Sequence, residues 1–326
     1  MPLIPAFAKI NLGLKVLYKR PDQFHEIGTV FQTISLHDSI RIEAVPAPQT
    51  RISTTSNVEI AGENLASRAA AAWLMAKGLY AHVEIEIEKR IPMGGGLGGG
   101  SSDAASVLLA LPALLGIESP IEELHEIASG LGSDLPFFLL GGTALASGRG
   151  ERLDSLPDHE DWHGVLIAPG LHVSTPDAYR GLGRPPEAEL TPEAQVEIMK
   201  RFRALVRSVH DCQPPAVWAG DCENDFEPVA IGQHFVLDSL LKKIESTGAQ
   251  PARMSGSGST LFGFYEDAEA AAVAEAKLKA EVSGHATAIR VEKFHTISRR
   301  HYERAWQTAL TSFTDGASWP PRSVVV

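Results

Sequence analysis

Apolar and polar residues alternate through the opening of the chain, where Ile10, Leu12, Leu14 and Val16 recur at every second position within residues 3–17. That period predicts a strand with one buried and one polar face. A polar turn over 19–23 and two short strands, 29–36 and 39–45, make the opening antiparallel. The spacing becomes helical over 64–79. It returns to strict alternation over 82–88, where Val83, Ile85 and Ile87 interleave with Glu84, Glu86 and Glu88. Helices are predicted over 104–115 and 121–131, with a turn over 132–138 breaking the second. Strands and helices follow each other without regular βαβ alternation, so the fold class is α+β.

A polar, acidic stretch with Pro157 covers 153–162 and marks a boundary. Beyond it the pattern predicts a strand at 165–168, a long helix over 192–210, a helix over 235–245 and a small-residue turn at 255–259. A strand over 260–265, an alanine-rich helix over 268–281 and a strand over 286–291 complete a second α+β unit. The domains are therefore drawn at 1–160 and 161–298, with 299–326 as an extension. Its end, 311–326, has no periodicity and is expected to be loosely ordered. With 326 residues and 44% hydrophobic content, the chain can fill two cores.

A formal net charge of −11 disfavours a nucleic-acid surface, because phosphate backbones reward excess Lys and Arg. Any anion must be bound locally. Cys212 and Cys222 form no C-x-x-C pair, which suits a reducing compartment. No leader pattern or run of 18 apolar residues is visible, so the expected location is the cytoplasm, with no membrane or nucleic-acid partner.

One run resists explanation as packing: Pro92, Met93, Gly94, Gly95, Gly96, Leu97, Gly98, Gly99, Gly100, Ser101, Ser102, Asp103. Glycines let successive N–H groups turn toward one anion, and a following helix adds unpaired donors and a positive dipole end. Gly94, Gly96 and Gly99 match G-x-G-x-x-G, but the preceding strand is half-solvated, unlike the buried first strand of a dinucleotide fold. Walker A fails because Gly100 stands where Lys is required. A polyphosphate cradle is the reading, against a flexible linker. Ser101 and Ser102 also suit a helix cap.

This loop, the segment Ala8–Leu14 with Lys9 and Asn11, the pair Phe24-His25, the turn holding Asp134, and the turn Met254–Ser259 together resemble the GHMP small-molecule kinases over roughly residues 4–295. The Lys–Asn strand with the aromatic–histidine pair is similar to the branch that acts on a cytidylated methylerythritol. The resemblance implies an N-terminal ATP-binding domain, a ferredoxin-like C-terminal substrate domain and an active site in the cleft between them. It implies transfer of the γ-phosphoryl of ATP to the 2-hydroxyl of a cytidine-diphosphate-linked methylerythritol, on the non-mevalonate route to isoprenoids. Asp134 would be the base and Lys9 its partner. Asn64, Lys89 and residues 92–102 would face ATP, with Lys89 near the adenine. Asn11, Thr175, Pro176, Gly256 and Ser257 would meet substrate, and Phe24 and Tyr179 would flank the cytosine while His25 bonds its edge. Mg²⁺ is implied by ATP, without an evident ligand cluster. Asp103 is left between capping and cation holding, and Glu223–Glu227 is assigned to packing and capping.

Other readings remain. Another GHMP kinase could act on homoserine or mevalonate, and a non-catalytic nucleotide binder is opposed by the presence of both Lys9 and Asp134. His159-Glu160-Asp161-Trp162-His163 matches the zinc-protease pattern H-E-x-x-H. Pro157 and Gly164 leave too little room for the helix that pattern needs.

Overall fold

The computed structural model of the chain describes residues 1–59, 62–283, 289–314 and 319–320. The alternating opening is strand β1 (Leu3–Lys19), antiparallel to β2 (His25–Pro46) over most of its length. Where the pattern predicted two strands, β2 is a single one of 22 residues. The pairing shifts register between Phe7↔His37 and Ala8↔Ile34, so Ser35 and Leu36 form a bulge that bends the strand without ending it.

β3 (Arg51–Ser56), helix α1 (Leu65–Lys77), β4 (Ala81–Glu88), α2 (Gly99–Leu115), α3 (Ile121–Leu131), α4 (Phe137–Leu140), β5 (Thr143–Ser147) and β6 (Arg152–Ser155) complete the first unit. The sheet order is β3-β4-β2-β5-β6, with β1 also on β2. Alternation in β4 holds residue by residue, the valine and isoleucines buried and the glutamates exposed. Helix α2 begins at Gly99, five residues before the predicted start, and Gly98 caps it in a left-handed conformation with no side-chain cap. Ser101 and Ser102 therefore lie inside the first turn and cap nothing. β6 falls in the stretch read as boundary.

The second unit contains β7 (His163–Ala168), α5 (Thr175–Leu182), α6 (Pro192–Ile198), α7 (Lys200–His210), α8 (Pro215–Trp218), α9 (Glu227–Gln233), α10 (Val236–Ser246), β8 (Ala252–Met254), β9 (Leu261–Tyr265), α11 (Ala268–Val282) and β10 (Arg290–His295). Its sheet, ordered β10-β7-β9-β8, is antiparallel throughout. The helix predicted over 192–210 is two helices meeting at Met199. The strand predicted over 286–291 falls partly outside the described residues, and its described counterpart starts at Arg290.

β1 is covered on both faces. Ile4, Ala6 and Phe7 join the first core, whereas Ala8, Ile10 and Leu12 pack with Phe202, Leu205, Trp218 and Phe262 of the second unit. Lys9 and Asn11, on the face read as polar, are therefore almost inaccessible. A last helix, α12 (Arg299–Ala309), was not foreseen; Tyr302 and Trp306 return it to the first core. In the tail expected to be loose, Thr314 is buried and Trp319 packs edge-on to Tyr302 and Trp306. Among the described residues, no helix is long and apolar enough to cross a membrane.

Candidate active site

The glycine loop owes its path to left-handed backbone at Gly94, Gly96 and Gly98, with φ of 66°, 77° and 71°. Its carbonyls are tied inward: Leu97 O accepts the Lys9 N–H at 3.0 Å, Gly95 O the Thr260 N–H at 3.2 Å, and Gly96 O faces the Ser255 hydroxyl at 3.0 Å. The first hydrogen bond of α2 runs from Ser102 N–H to Gly98 O. The N–H groups of Gly99, Gly100 and Ser101 thus lack intrahelical acceptors, and no side chain caps them. Donors outward and carbonyls inward make a site for an anion.

The loop separates two compartments. One, of about 380 Å³, is lined by Asn64, Lys89, residues 91–101 and Asp103. The other, of about 750 Å³, is lined by Lys9, Asn11, Phe24, His25, Asp134, Thr175, Pro176, Tyr179, Gly256 and Ser257 among others. Gly94, Gly96 and Gly98 border both.

At the floor of the larger compartment, Lys9 Nζ donates to Asn11 Oδ1 at 2.7 Å, stands 3.3 Å from Asp134 Oδ2 and lies 5.0 Å above the Phe31 ring. Both side chains leave β1 on the same face because they are two residues apart. Asn11 is oriented by its own amide, which donates to Thr29 Oγ1 at 2.8 Å. Asp134 sits between α3 and α4, where buried Leu135, Phe137 and Phe138 anchor the turn while its carboxylate stays 37% exposed. One oxygen can therefore meet a ligand while the Lys9 ammonium stands beside the other.

Several sequence expectations are redirected. Lys89 does not reach freely into the smaller compartment: it is buried between Asp38, which it contacts closely, and Asp103 at 2.8 Å. Burial opposes its charge, but the two carboxylates prevail and hold its ammonium above the usual lysine range. Burial pushes the Asp103 carboxyl up to about 7 in spite of Lys89. Asp38 in turn accepts the N–H groups of Arg90 and Ile91, so this cluster anchors the root of the glycine loop. Ser102 is also withdrawn, its hydroxyl donating to Phe7 O at 2.7 Å. Asn64 caps α1 by accepting the Ala66 N–H at 2.8 Å and still borders the compartment.

The aromatic residues are paired differently from a simple sandwich. His25 stacks on Tyr179, with centroids 4.5 Å apart and planes at 14°, while Phe24 lies under the Arg149 guanidinium at 4.6 Å. Burial, and then Lys19, holds His25 below the usual imidazole range, so it is neutral near pH 7, with one ring nitrogen donating and one accepting. Burial raises the Tyr179 phenol, with the Asp134 charge adding to it. Arg149 was missed from sequence, as were Lys19 and Arg184. All three line the larger compartment, where Asp134 is the only carboxylate among the described lining residues.

The zinc-protease pattern dissolves. His159 is buried and stacked on Trp162 at 4.0 Å, His163 opens β7, and no helix joins them. Among the described residues, no group of three or more His, Cys, Asp or Glu is placed to hold a metal ion.

A model of the GHMP kinases N terminal domain matches residues 64–142, and one of the GHMP kinases C terminal domain matches 202–284. The chain is 44% identical over 318 residues to a 4-diphosphocytidyl-2-C-methyl-D-erythritol kinase of Solibacter usitatus, covering 98% of this chain and 96% of that one. It is 38% identical over 284 residues to the kinase of the same name from Geobacter sp. strain M21, covering 87% and 96%. A crystal structure of a 4-(cytidine 5'-diphospho)-2C-methyl-D-erythritol kinase superposes with a TM-score of 0.70 at 36% identity, covering 90% of this chain and 98% of that one. A homoserine kinase from Cytophaga hutchinsonii shares the fold at a TM-score of 0.69 and 20% identity.

Proposed function

The chain belongs to the 4-diphosphocytidyl-2-C-methyl-D-erythritol kinases of the GHMP family, and from that premise we propose how its own residues carry the reaction. ATP lies across the glycine loop with its nucleoside in the smaller compartment, and the cytidylated alcohol fills the larger one. The γ-phosphoryl passes to the 2-hydroxyl, in the cytoplasm, on the non-mevalonate route to isoprenoid precursors. The observation that carries this reading is the Lys9–Asp134 pair, placed on the alcohol side of an anion loop that both compartments share.

Asp134 accepts the hydroxyl proton as the new O–P bond forms and the bond to the β-phosphate oxygen breaks, releasing ADP. Phosphoryl transfer asks little covalent chemistry of a protein, so positioning and charge dominate. Lys9, fixed by Asn11, keeps the carboxylate aimed. The N–H groups of Gly99, Gly100 and Ser101 receive phosphate oxygens. When bound with ATP, Mg²⁺ would supply screening of the phosphate charge. The residues present fit a cation carried mainly on phosphate oxygens, with Ser101 as the loop hydroxyl left uncommitted, because Ser102 is tied to Phe7. Lys19 and Arg149 line the larger compartment and supply positive charge toward an anionic substrate.

The cytosine slot is assigned to Phe24, His25 and Tyr179, with Thr175 and Pro176 as its rim. A stacked base gains about 1–3 kcal/mol per aromatic partner, so Tyr179→Ala or Phe24→Ala is expected to raise KM for the cytidylated alcohol by about one to two orders of magnitude. KM for ATP should hardly move. His25→Ala should reduce discrimination for cytosine over uracil, since a site built to bond one edge rejects another by leaving polar groups unpaired. Steady-state assays with ATP against alcohols with and without a cytidine diphosphate head test the reading. Turnover of homoserine or mevalonate in preference to the cytidylated alcohol would defeat it.

A further inference from the structure

Glu223–Glu227, read as packing and capping, also touches three walls of the cleft. Asn224 is buried beside β1, bridged to Leu14 within the strand. Its amide donates to Met254 O at 2.7 Å and to Gly256 O at 2.8 Å, while its Oδ1 accepts the Phe226 N–H at 3.0 Å. Both amide hydrogens are thus spent on the one turn that carries Ser255. That turn faces the reacting pair: Ser255 Oγ accepts the Asn11 N–H at 3.3 Å and lies 3.0 Å from Gly96 O. An unbroken series of short contacts runs from Asn224 through Ser255 to Asn11, Lys9 and Asp134, with a branch to the glycine loop. Asp225 accepts from Lys15, Arg184 and the Val16 N–H, and Phe226 meets Tyr179 edge-on at 4.8 Å. The segment is therefore held independently of the turn it grips.

We infer that Asn224 is a positioning residue for phosphoryl transfer: by clamping the carbonyls of Met254 and Gly256 it sets Ser255 against Asn11 and Gly96, and so fixes the base and the phosphate loop relative to each other. The physical requirement is a neutral side chain with two donors on one atom and an acceptor behind it, which asparagine meets at this reach. A misplacement of about 1 Å at reacting groups can cost on the order of 100-fold in rate, so a clamp of this kind acts on kcat. The inference rests on Lys9 and Asp134 being the reacting pair.

The test is Asn224→Asp, which keeps the shape but points a carboxylate at two carbonyl oxygens. With the variant confirmed folded by circular dichroism at the assay temperature, kcat should fall about 10- to 100-fold at pH 8, with KM for the cytidylated alcohol nearly unchanged. As pH is lowered toward 6, the ratio of variant to parent kcat should rise, because a protonated Asp regains one donor. Ser255→Ala, which removes the next link with little change in volume, should reproduce the kcat loss without the pH recovery, and it decides the matter alone if Asn224→Asp does not fold. Parent-like kcat in either folded variant overturns the inference, and so does a loss in Asn224→Asp that acidification leaves unchanged. If Asp134→Asn kept parent activity, the reading of the reacting pair would fail first, and the two failures are distinguishable.

Discussion

Asp134→Asn is expected to lower kcat by about 10²–10⁴-fold, the usual contribution of a general base and equivalent to roughly 3–5 kcal/mol of barrier. The amide retains the shape of the carboxylate and loses its capacity to take a proton. KM for ATP should stay nearly constant, because Asp134 lines only the larger compartment and not the smaller one proposed for the nucleotide. Initial-rate kinetics at saturating alcohol, with ATP varied, separate the two parameters. A folded variant with near-parent turnover would remove Asp134 from the chemistry.

Gly96→Ala should be comparably damaging by a different physical route. At φ of 77° an added Cβ would come within 2.1 Å of the Ser255 backbone oxygen, so strain and collision coincide at the contact that joins the two phosphate-side turns. Left-handed backbone costs an L-residue about 1–2 kcal/mol before any clash, and the clash forces the loop to move. We expect ATP affinity, measured by titration calorimetry without the alcohol, to fall by at least about tenfold, a change of about 1.4 kcal/mol. Gly130→Ala is the control. It lies in α3, lines neither compartment and has open space around its Cβ, so both affinity and turnover should persist. Equal effects at the two positions would mean that the loop's conformation is not what binds phosphate.

Local chemistry made part of this molecule readable in advance. β4 alternates because one face meets water, and the glycine loop is recognisable because left-handed backbone at Gly94, Gly96 and Gly98 leaves few alternatives to glycine. What was misread depends on distant partners. The bulge at Ser35 and Leu36 keeps β2 continuous through polar residues that mimic a turn. β3, β5, β6 and β8, three to six residues each, are too short to carry a period. Lys89, expected near the adenine, borders the smaller compartment but is also buried against Asp38, 51 positions away, and Asp103 across the helix start, contacts that no local pattern announces. Arg149 gave no local signal and Asn224 stood in a segment assigned to packing and capping, since the partners of each, Phe24 for one and the turn 254–256 for the other, are distant in sequence. The family resemblance supplied Lys9, Asn11 and Asp134 together, which strand period and turn composition alone could only place separately.

The most direct measurement of the central claim is a double-mutant cycle on Lys9 and Asp134, reading kcat for phosphorylation of the cytidylated alcohol by Lys9→Ala, Asp134→Asn and the double variant. Two groups 3.3 Å apart that act as one unit should lose activity together. The account predicts that each single variant is strongly impaired and that the double variant is little worse than either, far from the product of the two losses. Losses that multiply, or a double variant that keeps substantial turnover, would contradict it.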